Sequence, residues 1–357
     1  MHIPDGYLSP TTCAVLGGAM VPVWIRASQR VKKIVKSRYV PLVAIGSAFS
    51  FLVMMFNVPI PDGTTAHAVG AVIIAILLGR WAAVIAVSIA LAVQALFFGD
   101  GGVLAFAANS FNMAFVMPFV GYGLYKIIAG REPLTSRRRV IAAGIGGYVG
   151  INAAALAAAI EFGLQPSLFH TANGTPLYAP FHLAQTIPAM MIPHLLVAGL
   201  VEAGISAGVV AYLQRANVPL LRVNAPDVPV TEEEMAGPRQ KLGWRWALIA
   251  LGGMLLLTPL GLLAPGGAFG EDTPQDLDLG KYNLQAVPAG LEKFGSFWSR
   301  TLLGGYGFSS GDHPALAYIL SAVLGVLVIG AVTFAFVGIY KLATHGRGDE
   351  ADPTATS

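Results

Sequence analysis

The sequence carries little charge and almost no cysteine. Only 11% of its 357 residues are charged, where a soluble domain usually carries about 25%. That leaves too little polar surface to coat a water-soluble particle of this size. Cys13 is the single cysteine, which excludes an intramolecular disulfide framework and a multi-cysteine metal site. The net charge of +3 is small and gives no basic field for holding nucleic acid. No Gly-x-x-x-x-Gly-Lys-Ser/Thr loop is present, so the chain is expected to hydrolyse no ATP itself, and there is no His-Glu-x-x-His helix. With no evident acid–base or nucleophile pair, the chain reads as a non-enzyme without an organic cofactor.

What is abundant is hydrophobic sequence: 55% of residues, with a mean hydropathy of +0.65. The apolar residues fall in runs long enough to cross about 30 Å of hydrocarbon. Nine runs are expected to span the membrane, at 11–25, 39–56, 67–78, 81–98, 103–128, 140–162, 183–213, 244–263 and 314–342. The expected fold class is therefore an all-α membrane protein in contact with lipid: a seven-helix transmembrane bundle plus two further spans flanking a long external loop. The division reads as a bundle at 1–213, a cytoplasmic linker at 214–242 with the acidic run Glu232-Glu233-Glu234, a two-span module at 243–345 and a disordered tail at 346–357. No internal repeat is visible, so an inverted-repeat transporter architecture gains no support.

The basic residues orient these spans. Arg26, Arg30, Lys32, Lys33, Lys36 and Arg38 follow the first run. Further groups lie at 126–139 and 215–245, and Arg80, Lys341 and Arg347 fall on the same side. With the N-terminus outside, 19 of the 22 Lys and Arg residues share one face, which the positive-inside rule makes cytoplasmic. The first ten residues hold no Lys or Arg, unlike the basic start of a secretory signal. The mature chain is expected to begin with the Met1 amine, on the outer face.

That start has coordination chemistry. The Met1 amine, the His2 backbone nitrogen and His2 Nδ1 are linked by short covalent paths that close a five- and a six-membered chelate ring. If the amide gives up its proton, the three donors lie nearly in a plane, and one more imidazole completes a square. Square-planar nitrogen coordination suits Ni(II) or Cu(II) over Zn(II) and excludes hard oxygen-ligand ions. His67, at the outer end of the third run, is a candidate for the fourth donor. No Lys or Arg lies in 57–79, which suits a cation path. The alternative is that His67 caps a helix or sits among lipid headgroups.

Other polar residues read less sharply. Asp100, in the turn Phe97-Phe98-Gly99-Asp100-Gly101-Gly102, either faces the metal path or stabilises the turn. Asn112 is expected to point inward and bond across helices, or to support a metal ligand. His194, inside the seventh run, is a buried proton or metal group or a bonded core histidine. Glu161 and Glu202 are expected to be structurally paired.

The opening Met1-His2-Ile3-Pro4-Asp5-Gly6-Tyr7-Leu8-Ser9-Pro10 resembles the start of the CbiM/NikM family. These are the metal-capturing membrane (S) components of energy-coupling-factor ABC uptake transporters for nickel and cobalt. The segments Thr65-Ala66-His67-Ala68-Val69-Gly70, Gln94 to Tyr122 and His194 to Glu202 are similar to the same family, so the resemblance covers 1–215. The C-terminal module resembles the two-span NikN/CbiN accessory subunit, fused here, with Pro288-Ala289-Gly290-Leu291-Glu292 in place of the family's Pro-Asp-Gly-Leu-Glu. Ala289 thus replaces an aspartate.

The resemblance implies a metal site made by the Met1 amine, the backbone nitrogen and imidazole of His2, and the imidazole of His67. It implies uptake of Ni(II), or alternatively Co(II) for cobalamin synthesis, as transported substrate. It implies a coupling transmembrane (T) subunit and two ATP-binding subunits as partners, and a place in the cytoplasmic membrane of a prokaryote. A gradient-driven secondary transporter would instead need intramembrane carboxylates along a path, for which Glu161 and Glu202 are the candidates. An intramembrane enzyme or assembly factor would hold its metal without exchanging it with a partner.

Overall fold

The computed structural model describes residues 1–35, 40–60, 65–228, 244–264 and 267–345. Nearly all ordered elements are helical. Helix α1 (Pro10–Val35) begins at a cap: Ser9 Oγ accepts from the Thr12 N–H at 3.0 Å. Pro10 takes the first helical position, where its missing N–H is not needed. After α2 (Val40–Met54), a short antiparallel ribbon pairs β1 (Val58–Pro59) with β2 (Thr65–Ala66), Val58 opposite Ala66. Then come α3 (Ala71–Leu78), α4 (Arg80–Phe98), α5 (Phe106–Ala129), α6 (Arg137–Leu168), α7 (Leu183–Ala216) and the short α8 (Val218–Arg222). The C-terminal part holds α9 (Trp244–Leu257), which tightens into a 3₁₀ turn at Thr258–Leu263, then α10 (Ala289–Phe294) and α11 (Pro314–His345).

Among the described residues five helical segments are long and apolar enough to cross a membrane: α4, α5, α6, α7 and residues Pro314–Ala335 of α11. Pro41–Met54 and Leu248–Leu263 are shorter apolar helices. Of the nine expected spans, the first and the third are not among these helices. The eight residues of α3 rise about 12 Å, well under the ~30 Å hydrocarbon thickness. All of α3 except Leu77 is buried, as expected for a helix apolar on every side. It is a core element, and residues 67–70 before it are not helical.

Two other boundaries shift. Helix α1 runs on past residue 25 through Arg26 and Arg30 to Val35. Helix α7 continues to Ala216, into the expected linker, and α8 follows after Asn217, whose Oδ1 accepts from the Leu220 N–H at 3.2 Å. Glu232-Glu233-Glu234 and the tail 346–357 lie outside the described residues.

Close packing of small residues holds the bundle together. A Cβ built on Gly121 of α5 would lie 2.6 Å from the Gly146 carbonyl oxygen of α6, and one on Gly150 would lie 2.8 Å from that of Met117. These backbones approach as closely as helices in lipid do when glycine lines the interface. At the α3–α4 junction Gly79 takes φ +91°, which a residue with a Cβ rarely adopts.

The segment 267–313 packs over the end of the bundle where residues 1–9 lie. Leu177 O accepts from the Gly290 N–H at 2.7 Å, and Phe97 O from the Leu302 N–H at 2.9 Å. The Trp298 indole donates to Leu96 O at 2.8 Å. Helix α11 then packs on α2 and α4, and the Tyr318 hydroxyl donates to Met55 O at 3.0 Å.

Candidate metal centre

The first nine residues form no helix, yet most are buried: Met1 is 4% exposed, His2 2% and Ile3 0%. Three sets of hydrogen bonds hold them. Asn109 of α5 bonds both main-chain groups of Ile3, its Oδ1 accepting from Ile3 N–H at 2.8 Å and its Nδ2 donating to Ile3 O at 3.0 Å. The Gly102 N–H also donates to Ile3 O, at 2.8 Å. Asp5 accepts from the amides of Val103, Leu104 and Ala105 at 3.1, 2.7 and 3.2 Å. Those amides precede α5, so the carboxylate sits where helix N-termini favour negative charge. Burial raises the Asp5 pKa, and the three backbone bonds lower it. A Cβ on Gly102 would collide with the Asp5 side chain.

His67 is positioned from the other side. It follows β2, and the two residues beyond Ala68 are clamped: Glu202 Oε2 on α7 accepts from Val69 N–H at 2.9 Å and Gly70 N–H at 3.0 Å. The Ser50 hydroxyl of α2 donates to Val69 O at 2.7 Å. His67 Nδ1 lies 3.0 Å from Ala68 O. A carbonyl only accepts, so Nδ1 carries the hydrogen and Nε2 presents a lone pair.

That lone pair faces His2. His67 Nε2 is 3.3 Å from His2 Nδ1, with ring centroids 5.0 Å apart. His2 Nε2 lies 3.3 Å from Gln94 Oε1, another group that only accepts, so His2 also turns an unprotonated Nδ1 toward His67. Asp100 Oδ1 is 3.2 Å from the same Nδ1. Burial, then the charge of the N-terminus, lowers the His2 pKa to about 3, against the Gln94 bond. The His67 pKa is also held well below its usual value, mainly by burial. Neutral imidazole is the form that binds metal. With the ring neutral the His2–Asp100 contact is not an ion pair, and His2 Nδ1 lies beside both His67 Nε2 and Asp100 Oδ1.

The Met1 amine completes the neighbourhood, 3.6 Å from Glu271 Oε1 in the C-terminal segment. Burial raises the Glu271 pKa and the amine's charge lowers it. Among the described residues the His2 amide N–H makes no hydrogen bond. A cavity of about 560 Å³ opens beside these groups; its lining includes His2, His67, Asp100, Glu271 and Tyr306 and, among the described residues, no Lys or Arg. No group of three or more His, Cys, Asp or Glu side chains is arranged to hold a metal among the described residues. A metal held here must draw on main-chain and terminal nitrogens.

Sequence similarity agrees with this chemistry. A family model described as CbiM, the cobalt uptake substrate-specific transmembrane region, matches residues 2–220. The chain is 45% identical over 343 residues to the fused nickel transport protein NikMN of Rhodobacter capsulatus, covering 93% of this chain and 95% of that one. The chain belongs to the CbiM family. A crystal structure of a truncated transition metal transporter is 62% identical, covers 60% of this chain and 99% of its own, and superposes with a TM-score of 0.57. The chain is thus a membrane protein of a metal-transport family, and its similarity to a fused NikMN protein extends through the C-terminal segment.

Within this CbiM-family chain, the residues expected to matter separate into two groups. His2, His67 and Asp100 line one cavity, and the Met1 amine lies 3.6 Å from Glu271 in its wall. Asn112 instead donates to Glu161 Oε2 across the α5–α6 interface at 2.8 Å, and His194 Nδ1 donates to Met190 O at 2.6 Å within α7. Glu161 and Glu202 are each bonded through Oε2, Glu202 to the backbone beside His67, while Oε1 of each is buried without a hydrogen-bond partner among the described residues. Ala289 opens the short helix α10, and the next amide, Gly290 N–H, makes the bond to Leu177 O. Gly307-Phe308-Ser309-Ser310-Gly311 has the letters of a Gly-x-Ser-x-Gly motif but lies in a loop with both serines exposed, without the strand-to-helix turn that would make Ser309 a nucleophile. The sequence did not single out Gln94, Asn109, Glu271 or Tyr306 as site residues. A lone Gln or Asn in an apolar run was the available signal.

Proposed function

We propose that this chain captures Ni(II), with Co(II) as the alternative cargo, from the outer face of a prokaryotic cytoplasmic membrane. The ligands are the Met1 amine, the His2 backbone nitrogen, His2 Nδ1 and His67 Nε2. The carrying observation is the 3.3 Å approach of His2 Nδ1 and His67 Nε2, with the Met1 amine one peptide unit from His2 and buried with it. For bonds of about 2.0–2.1 Å, the metal–imidazole length known from zinc, adjacent ligands of a square lie roughly 2.9 Å apart. A shift of a few tenths of an ångström brings the two nitrogens there. Amide coordination favours the square-planar ion Ni(II); the description of the matched family names cobalt.

In this reading residues 1–213 form the capture unit, 214–242 a cytoplasmic linker and 243–345 the accessory module, with the C-terminus in the cytoplasm. The chain works as the substrate-specific component of an energy-coupling-factor transporter, with a coupling transmembrane subunit and two ATP-binding subunits. The test is metal content and competitive Ni(II)/Co(II) titration of purified full-length protein with the native Met1-His2 start and any tag at the C-terminus. One equivalent of tightly held Ni(II) with a yellow, diamagnetic spectrum supports the reading. Tighter Co(II) binding moves it to cobalt. A His67→Ala protein with full affinity removes the fourth ligand, and no binding of either ion refutes capture.

A further inference from the structure

An aromatic hydroxyl from the C-terminal segment borders the site. Tyr306 donates to Asp100 Oδ2 at 2.5 Å and accepts from Gln94 Nε2 at 3.1 Å. Gln94 Nε2 also donates to Asp100 Oδ2 at 3.1 Å. These contacts decide which way the Gln94 amide faces, because its NH₂ must point at the carboxylate and the hydroxyl. Its oxygen is thereby turned to His2 Nε2. A glutamine oxygen accepts only, so a neutral His2 bonded to it carries its hydrogen on Nε2 and keeps the Nδ1 lone pair for metal, against the pull of Asp100 Oδ1 at 3.2 Å from that Nδ1.

We infer that Tyr306 is a positioning residue that sets the metal-binding tautomer of His2 through Gln94 and Asp100. This rests on the nitrogen site proposed above. Tyr306 is built for a fixed position. It is 8% exposed, stacks on Phe98 at a centroid distance of 5.0 Å and meets Tyr318 edge-on at 5.5 Å. Its φ is +62°, a value a bulky side chain rarely adopts and one that persists where the surroundings impose it. Without the hydroxyl the Gln94 amide loses one of the two partners of its NH₂. A flipped amide would present Nε2 to His2, draw the lone pair to Nε2 and move the hydrogen to Nδ1. In that tautomer the proposed chelate cannot close.

The experiment compares wild type with Tyr306→Phe, which removes only the hydroxyl. Full-length protein is labelled with ¹⁵N-histidine, and the His2 signals are assigned by their loss in His2→Ala. In metal-free wild type the shifts should report an unprotonated Nδ1. In Tyr306→Phe they should report a mixture of tautomers, and Ni(II) affinity should fall about 10-fold or more. Tyr318→Phe keeps the ring against Tyr306 and removes only a hydroxyl that bonds Met55 O, and should keep the wild-type tautomer. Gln94→Leu reads the same step if Tyr306→Phe folds poorly, and should also lose the tautomer preference. Wild type that binds no metal refutes the site itself. Wild type that binds, beside a Tyr306→Phe or Gln94→Leu protein with the same tautomer and affinity, overturns the role of Tyr306 alone. So does a Tyr318→Phe protein that behaves like Tyr306→Phe.

Discussion

His2 Nδ1 and His67 Nε2 lie 3.3 Å apart, and the hydrogens of both rings are drawn to their far sides by Gln94 Oε1 and Ala68 O. The approach is repulsive until a cation enters. Bound Ni(II) should therefore stabilise the folded chain strongly. At a free metal concentration 100 times Kd the gain is about 2.7 kcal/mol, visible as a rise in thermal midpoint in detergent. His67→Ala should lose that metal-dependent rise. A rise of full size in His67→Ala would mean the ion binds elsewhere.

The register of the first two residues should be unforgiving. A glycine inserted between Met1 and His2, or acetylation of the Met1 amine, breaks the five-membered ring. Either change should lower Ni(II) affinity by at least about two orders of magnitude, the upper range for disturbing a metal ligand's surroundings. The measurement is a competition titration against a chelator of known affinity.

Metal binding should release protons in a defined number. The low pKa of His2, about 3, leaves its imidazole neutral between pH 5 and 8, so it has no proton to give. The amide of His2 must lose one to coordinate. Titration calorimetry in buffers of different ionisation enthalpy should therefore count at least about one proton per ion near pH 7. A count near zero would exclude amide coordination.

Glu202 should matter through one oxygen. Its Oε2 takes both backbone bonds beside His67. Glu202→Gln keeps a carbonyl oxygen and should bind metal nearly as wild type. Glu202→Ala orphans two buried amides, at about 1–3 kcal/mol each, and should loosen His67 and weaken Ni(II) binding about 10-fold. Affinity and thermal midpoint measured on both variants check this; equal loss in both would point to charge instead of hydrogen bonding.

The part of the site legible in the sequence was the part joined by covalent bonds. The Met1 amine and the His2 nitrogens are joined by short covalent paths wherever they sit, so three candidate donors could be read from two residues. His67 was reachable through the absence of nearby cations, but only folding sets it against His2. Gln94, Asn109 and Tyr306 were illegible as site residues because their work is to hold other groups in place across long stretches of chain, and no spacing encodes that. The helices followed hydropathy where runs were long, as in α4 to α7. They departed from it at α3, where an apolar run of spanning composition is divided between a nonhelical segment and a buried eight-residue helix. Asn112 and His194 were ambiguous for a common reason: a polar residue in an apolar run needs a partner, and each found one within the bundle.

The bonds that hold Ile3 have a consequence for how the protein is made. They come from Gly102 and Asn109, about a hundred residues downstream, and Tyr306 lies later still. During synthesis residues 1–9 are thus made well before the residues that hold them. Until α5 has been made, Ile3 lacks its bonds to Asn109 and Gly102, and until residue 306 has been made, Gln94 and Asp100 lack the Tyr306 hydroxyl. A ribosome stalled before residue 306 would carry both histidines without the hydroxyl that the proposed tautomer needs.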